Sequence, residues 1–340
     1  MQFELRTQVI EQRRKTFSNL VRRYGDRPAS RYEEGSVDIQ ATEHFHYRPL
    51  WAPTHELYDP TYTVFRLTDP YSYMDPRQFY YAPYVQSRAA MGDAFAKSLE
   101  YVDSRGLLQK LPTGWDALVG DLLLPLRHYE AGAELLLIEG SRFAYGTTIE
   151  QGCMYAAFDR IGNAQSISRI GIVYADGHDH ALSQAKEKWL TDPALQGLRR
   201  LIEELLVERD YAKELITLDL CDRLLYSVMF THLDESALMG GAGAYSLLAQ
   251  HFSSWFADQR RWIDHLYKTW FADEEFGASN KAAFEDVLAN RWTQVVEAVV
   301  DFAAAVDARV GTGAVEATEA AAAAVAAELT ALGLSVPGGK

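Results

Sequence analysis

The chain has 340 residues, 48% of them apolar and 24% charged, with a formal net charge of −14. That is enough apolar material for a large buried core, which excludes a disordered chain. The acidic balance excludes a general nucleic-acid binder, which would carry a basic footprint, and a protein held on an anionic membrane surface.

Residues 1–83 read as an extended arm. Seven of the eleven prolines fall there, from Pro28 to Pro83, among many aromatic residues. Proline at this density prevents long helices and removes ladder donors. A disordered tail would be poor in aromatics, so the arm is expected to lie on a surface, either its own domain or another chain. Its first residues, "MQFELRTQVIEQRRKTF", lack an apolar h-region, so no secretory leader is expected. No run of about 18 apolar residues occurs, and the expectation is a cytoplasmic, non-membrane protein.

From about Val85 the apolar spacing becomes helical. A first helix runs to Gly106, and a second over 115–146 carries an expected kink at Pro125. A third follows over 147–174 and a shorter one to Asp192-Pro193, an N-cap with proline at the first helical position. One long helix is expected over 194–233, another over 243–273, and a third, capped by Ser279-Asn280, ends at Gly311. The Ala-rich segment 314–333 has high helix propensity but small side chains, so loose docking is expected. No stretch alternates apolar and polar residues as a strand would. The fold class is all-α, a body of long helices over 84–311 with the arm before it and the Ala-rich end, 312–340, after it.

Candidate chemistry is sparse. Glu43-x-x-His46 has the half-motif spacing of carboxylate-bridged di-iron bundles, where an i, i+3 pair reaches one metal pair. Pro49 and Pro53 deny it a helix, and no second Glu-x-x-His exists. The carboxylates Glu130, Glu134, Glu150, Glu208, Glu214, Asp219 and Asp264 sit on long helices without the needed histidines. They are expected to pair with arginines such as Arg127, Arg142, Arg160 and Arg169 or to face solvent. Asp176-Gly-His178-Asp-His180 reads as an exposed turn, and Gly240–Gly243 as a helix connection that lacks the Lys-Ser/Thr of a phosphate loop. Cys153 and Cys221 read as reduced core thiols. No catalytic, cofactor or metal residue is expected in this chain.

Several strings nevertheless carry a resemblance: "YGDRPASRYEE" (24–34), "FHYRPLWAPTHELYDP" (45–60), "MDPRQFYYAPYVQSRA" (74–89), "LLPLRHYEAGA" (123–133) and "QGLRRLIE" (196–203). The sequence resembles the β subunit of the hydroxylase component of bacterial multicomponent di-iron monooxygenases, in the phenol hydroxylase branch. The resemblance implies a ferritin-like (ribonucleotide-reductase-like) bundle. It further implies an (αβγ)2 hydroxylase whose α subunit holds the di-iron centre, with a small γ subunit. An NADH-dependent reductase carrying FAD and a 2Fe-2S cluster, and a small effector protein, would dock transiently. The role implied for this chain is scaffolding. An interface grip is expected from Phe45, Tyr47, Arg48, Trp51, Arg77, Phe79, Tyr80 and Tyr81, since Arg, Tyr and Trp dominate interface hot spots. These residues could instead pack on the chain's own helices. The other readings are a β subunit of an alkene or alkane monooxygenase, a free-standing ferritin-like metalloprotein, and a helical binding module unrelated to oxidation.

Overall fold

A computed structural model describes residues 17–43 and 53–337. Among the described residues there is no strand. The helices are α1 (Ser18–Tyr24), α2 (Arg31–Ser36), α3 (Tyr81–Ser104), α4 (Thr113–Leu118), α5 (Leu126–Phe143), α6 (Thr147–Tyr174), α7 (His180–Thr191), α8 (Pro193–Leu205), α9 (Tyr211–Tyr226), α10 (Leu233–Met239), α11 (Gly243–Ala272), α12 (Gly277–Val310) and α13 (Ala314–Ala331). The expected break near Pro125 is a π turn over Val119–Leu123 followed by the proline at the N-cap of α5. Asp192 accepts from the Ala194 amide at 3.0 Å to cap α8, and Gly311 closes α12 in the left-handed region at φ 58°.

Three expectations are corrected. The single helix over 194–233 is interrupted after Leu205, because Asp210 is a new N-cap that accepts from the Ala212 amide at 3.0 Å. Ser279-Asn280 is not a cap. The orphan amides there are met by Asp273, which accepts from Phe276 at 2.8 Å and Glu275 at 3.1 Å, and Asn280 lies buried inside α12. The Ala-rich end is not loosely docked: Ala314, Thr318, Ala322, Val325 and Leu329 form a buried stripe. Asp307 of α12 accepts from the Ala314 and Val315 amides at 2.8 and 3.0 Å and so holds the start of α13.

The centre is a bundle of α5, α6, α9 and α11. Helix α9 is buried around nearly its whole circumference, as its unbroken apolar run requires. Helices α5 and α6 are joined by a short turn and run side by side. Their approach depends on Gly140, where a Cβ would lie 2.7 Å from Cys153 Sγ. On its other side α5 meets α8 at Gly132, where a Cβ would lie 2.4 Å from Ile202 Cγ2.

The described stretch 59–80 of the arm is a strap laid on the chain's own helices. Thr63 Oγ1 and the Val64 amide donate to Asp210 at 2.7 and 2.8 Å, so the residue that restarts α9 also anchors the strap. Asn280 accepts from the Arg66 amide at 2.9 Å and donates to its carbonyl at 2.7 Å. Asp273 accepts from the Thr68 amide at 2.7 Å. Phe65 packs on Trp270 with ring centroids 4.8 Å apart. A backbone without a sheet partner thus has its polar groups met by side chains, two of them buried.

The glycine contact gives a test. Gly140→Ala is expected to lower stability by about 1–3 kcal/mol through overpacking. Cys153→Ala in the same chain should recover part of it, a non-additive cycle readable by urea denaturation. Purely additive losses would mean that the two helices are not held at this contact.

Candidate functional site at the bundle centre

The centre of the four helices is polar. Arg160 of α6 is 0% exposed, and its guanidinium lies between Glu130 of α5 and Asp222 of α9. Nη1 donates to both Glu130 oxygens at 3.2 and 3.1 Å, and Nη2 donates to Asp222 Oδ2. The remaining acceptor sites are met from the same helices. Tyr226 donates to Glu130 Oε1 at 2.6 Å, Asn163 Nδ2 donates to Glu130 Oε2 at 3.4 Å, and Tyr129 donates to Asp222 Oδ1 at 2.8 Å. Trp255 of α11 closes the far side with its ring 4.8 Å from the guanidinium carbon, within cation–π range.

Burial works against the Arg160 charge, but Asp222 and Glu130 outweigh it and hold the guanidinium protonated. The balance still leaves two carboxylates to one cation. Burial, with Glu130 adding to it against the pull of Arg160, raises Asp222 to about 7. Removing Arg160 would strand two buried carboxylates, and breaking a buried ion pair in this way typically costs about 3–5 kcal/mol.

A second network adjoins the first through Asp159. Arg88 of α3 forks onto Asp159 at 2.8 and 2.7 Å and reaches Asp258 of α11 at 2.7 Å. Trp255 and Tyr84 also donate to Asp159, at 3.0 and 2.9 Å. Arg77 continues the chain by pairing with Asp75 at 2.9 Å and Asp258 at 3.3 Å.

The residues singled out in the sequence fall in three places. Arg77 and Phe79 turn inward: Arg77 lies 4.6 Å from the Phe79 ring, which packs with Tyr84 and Tyr155. Tyr80 is half-buried over Gly35, and Tyr81 is 74% exposed. Phe45, Tyr47, Arg48 and Trp51 lie outside the described residues, as does His46 of the Glu43-x-x-His46 spacing. Both cysteines are buried thiols, pushed up to about 12 chiefly by burial. His178 and His180 are exposed. Of the arginine pairings expected for the helix carboxylates, Glu130 with Arg160 is present. Asp219 and Asp264 share Arg260 instead. Glu150 accepts from Gln40 at 2.7 Å.

Sequence reasoning named Glu130 and Arg160 but not Asp222 or the centre the three form. The signal for that centre was Arg160 and Asn163, an i, i+3 polar pair on α6 that a search restricted to glutamates passes over. Glu214, expected to pair with an arginine or face solvent, is instead buried with neither carboxylate oxygen accepting a hydrogen bond. Burial and then the neighbouring Glu139 push Glu214 far above the usual carboxylate range. Burial beside Glu139 thus favours the neutral form of Glu214.

A carboxylate-bridged di-iron centre takes glutamates from all four helices and a histidine from two of them. Here α6 presents Arg-x-x-Asn toward Glu130 and Asp222, and a cation already holds both carboxylates. The residues do not fit such a centre. Among the described residues no group of three or more His, Cys, Asp or Glu side chains could hold a metal ion.

The helical architecture is that of the di-iron hydroxylases. A structure of toluene 4-monooxygenase with toluene in its resting active site superposes with TM-score 0.74 at 18% identity, over 88% of this chain and 99% of that one. That likeness defines the fold. The sequence model of the family described as Methane/Phenol/Alkene Hydroxylase matches residues 51–274. The chain belongs to that family. It is 40% identical to the oxygenase component DmpL of phenol 2-monooxygenase from Pseudomonas sp. (strain CF600), over 84% of this chain and 87% of that protein. It is 38% identical to the component MhpL from Acinetobacter pittii (strain PHEA-2), over 90% and 91%. A crystal structure of xenon-pressurised phenol hydroxylase from Pseudomonas sp. OX1 matches with TM-score 0.89 and 32% identity, over 98% of this chain and 100% of that one.

The buried acid is testable. A folded-state pKa raised above the unfolded value makes stability fall as pH rises from about 4.5 toward the folded value. Glu214→Gln is therefore expected to raise Tm by about 2–4 °C at pH 8 and to leave it unchanged below pH 4.5. An equal change at both pH values would show a packing effect instead.

Proposed function

We propose that this chain is the non-catalytic β subunit of the oxygenase component of a multicomponent di-iron monooxygenase. It would support an α subunit that binds iron, activates O2 and hydroxylates phenol or a related aromatic at the expense of NADH. The observation that carries this reading is Arg160. A guanidinium between Glu130 and Asp222 leaves the bundle built and its centre already neutralised in part. The relatives favour the phenol branch, since the 40% and 38% identical proteins are both phenol 2-monooxygenase components. The β assignment is favoured by a further relative, the methane monooxygenase component A beta chain of Methylosinus trichosporium. It is 25% identical over 74% of this chain and 64% of that one. The family description also covers methane and alkene hydroxylases, which keeps an alkene or alkane enzyme as the second reading.

On this proposal the di-iron centre belongs to the α partner, and FAD and the 2Fe-2S cluster to a reductase. A γ subunit completes the hydroxylase, an effector docks transiently, and the complex works in the cytoplasm. No helix among the described residues is long and apolar enough to cross a membrane. A surface for the α partner is offered where α3 and α6 expose Tyr81, Val85, Phe158 and Ile161 beside the buried Phe79–Tyr84–Tyr155 cluster. Exposed aromatic and branched residues grouped in this way mark interaction surfaces.

Co-production with the companion large subunit tests the proposal. Phe158→Asp is expected to weaken assembly at least about tenfold, read by sedimentation, with helix content unchanged by circular dichroism. Phenol hydroxylation should fall in proportion to lost complex. Full hydroxylation by the large subunit, effector and reductase without this chain would overturn the supporting role.

A further inference from the structure

We infer that the pocket beneath the strap binds a one-ring aromatic alcohol, a compound of the phenol class, within this chain. The inference rests on the pocket itself and holds whether or not the chain serves an oxygenase.

The pocket has a volume of about 200 Å³. Its wall is drawn from separate elements: Phe65 of the strap, Ile149 of α6, Tyr211 of α9, Trp270 of α11, and Phe276 just before α12. Phe65, Ile149, Tyr211 and Trp270 are buried. The wall is fixed before any ligand arrives. Asp210 holds the strap at Thr63 and Val64, Asn280 holds it at Arg66, and Asp273 accepts from the Phe276 amide. Binding to a preformed site spends little on ordering the protein.

Size and lining select the ligand. The pocket is smaller than the about 300–1,000 Å³ of sites for drug-sized molecules. An apolar cavity of about 150 Å³ already holds benzene, so a single ring with a small substituent fits. Phe65, Tyr211, Trp270 and Phe276 offer aromatic faces and edges against which such a ring packs.

The polar groups define the substituent. Thr63 Oγ1 donates to Asp210 and Thr61 Oγ1 to Asp59, each at 2.7 Å, so both threonine hydroxyls on the wall are committed. Tyr211 is 4% exposed, and its hydroxyl is bonded to no described residue. Buried hydroxyls normally have a partner, so an open one on a pocket wall marks the place of a ligand oxygen. Burial, above all, keeps this hydroxyl protonated, so it can donate to a neutral alcohol or accept from one. An anion is disfavoured there, because Asp210 is buried beside Tyr211 in the chain. Arg66, the cation of the lining, is exposed at the rim, 6.0 Å from the Phe276 ring.

The experiment titrates the full-length chain, without a companion subunit, with para-fluorophenol and with fluorobenzene, followed by fluorine NMR. para-Fluorophenol is expected to saturate one site per chain with a Kd of about 1 mM or below. Tyr211→Phe should weaken it about three- to tenfold, the effect of one hydrogen bond, and leave fluorobenzene within about twofold of the wild type. Ile149→Trp, which fills the pocket, should weaken both ligands at least about tenfold. Hydrogen exchange of strap amides 64–67 should slow on adding phenol to the wild type, and slow less in Tyr211→Phe at the same concentration. That readout locates the site even where Ile149→Trp does not fold. The inference is overturned if the folded wild type shows no saturable binding, or if Tyr211→Phe binds para-fluorophenol as the wild type does or loses both ligands alike. Tighter binding of para-fluorobenzoate than of para-fluorophenol would equally overturn it, since Arg66 at the rim would then be the group that reads the ligand.

Discussion

The structure depends on one buried charge. Arg160 links α5, α6 and α9 and stacks toward Trp255 of α11, so each helix of the central bundle has its register set by the same guanidinium. A centre filled with apolar side chains could pack as tightly, and replacing a buried ion pair by apolar groups is often neutral or stabilising. What the arginine adds is direction: five donors in a fixed plane demand acceptors at set positions.

From that centre the constraints spread outward along the chain. Asp159, next to Arg160, is tied to Arg88 on α3, and through Asp258 to Arg77 and the arm. The arm continues as a strap whose amides end on Asp210, Asn280 and Asp273. Each of these three acids or amides also serves a helix: Asp210 starts α9, Asp273 starts α12, and Asn280 bonds the Trp270 carbonyl near the end of α11. The strap and the helix ends therefore share the same three side chains. The supporting role proposed for this chain would need this kind of rigidity.

The helices were legible in the sequence because apolar periodicity and stop signals are local. Asp192-Pro193 and Gly311 mark ends that need no knowledge of the fold. What was not legible depends on tertiary partners. Asp210 interrupts a continuous apolar pattern because a strap nearly 150 positions earlier shares its carboxylate, which no window of sequence contains. Asn280 looks like a cap by type, yet its partners Arg66 and Trp270 make it an interior strut. The Ala-rich α13 looked too poor in side-chain area to dock. Its buried stripe succeeds because Asp307 fixes its start, so small residues suffice for the rest. At the centre, the absence of Glu-x-x-His was visible, and the Arg-x-x-Asn standing in that register was visible as well. Only the convergence of Glu130 and Asp222 on Arg160 gives the second pattern its meaning. Arg77 and Phe79 show the reverse case: their types suggested an interface, and their neighbours Asp75, Asp258 and Tyr155 draw them into the chain's own body.

The most direct measurement is iron bound by the purified chain alone, loaded anaerobically with Fe2+ and freed of excess metal. With Arg160 holding Glu130 and Asp222, the expected result is well below one iron per chain, and no change on Glu130→Gln. About two irons per chain, the complement of a carboxylate-bridged bundle, lost on Glu130→Gln, would contradict a supporting role and make this chain a metalloprotein in its own right.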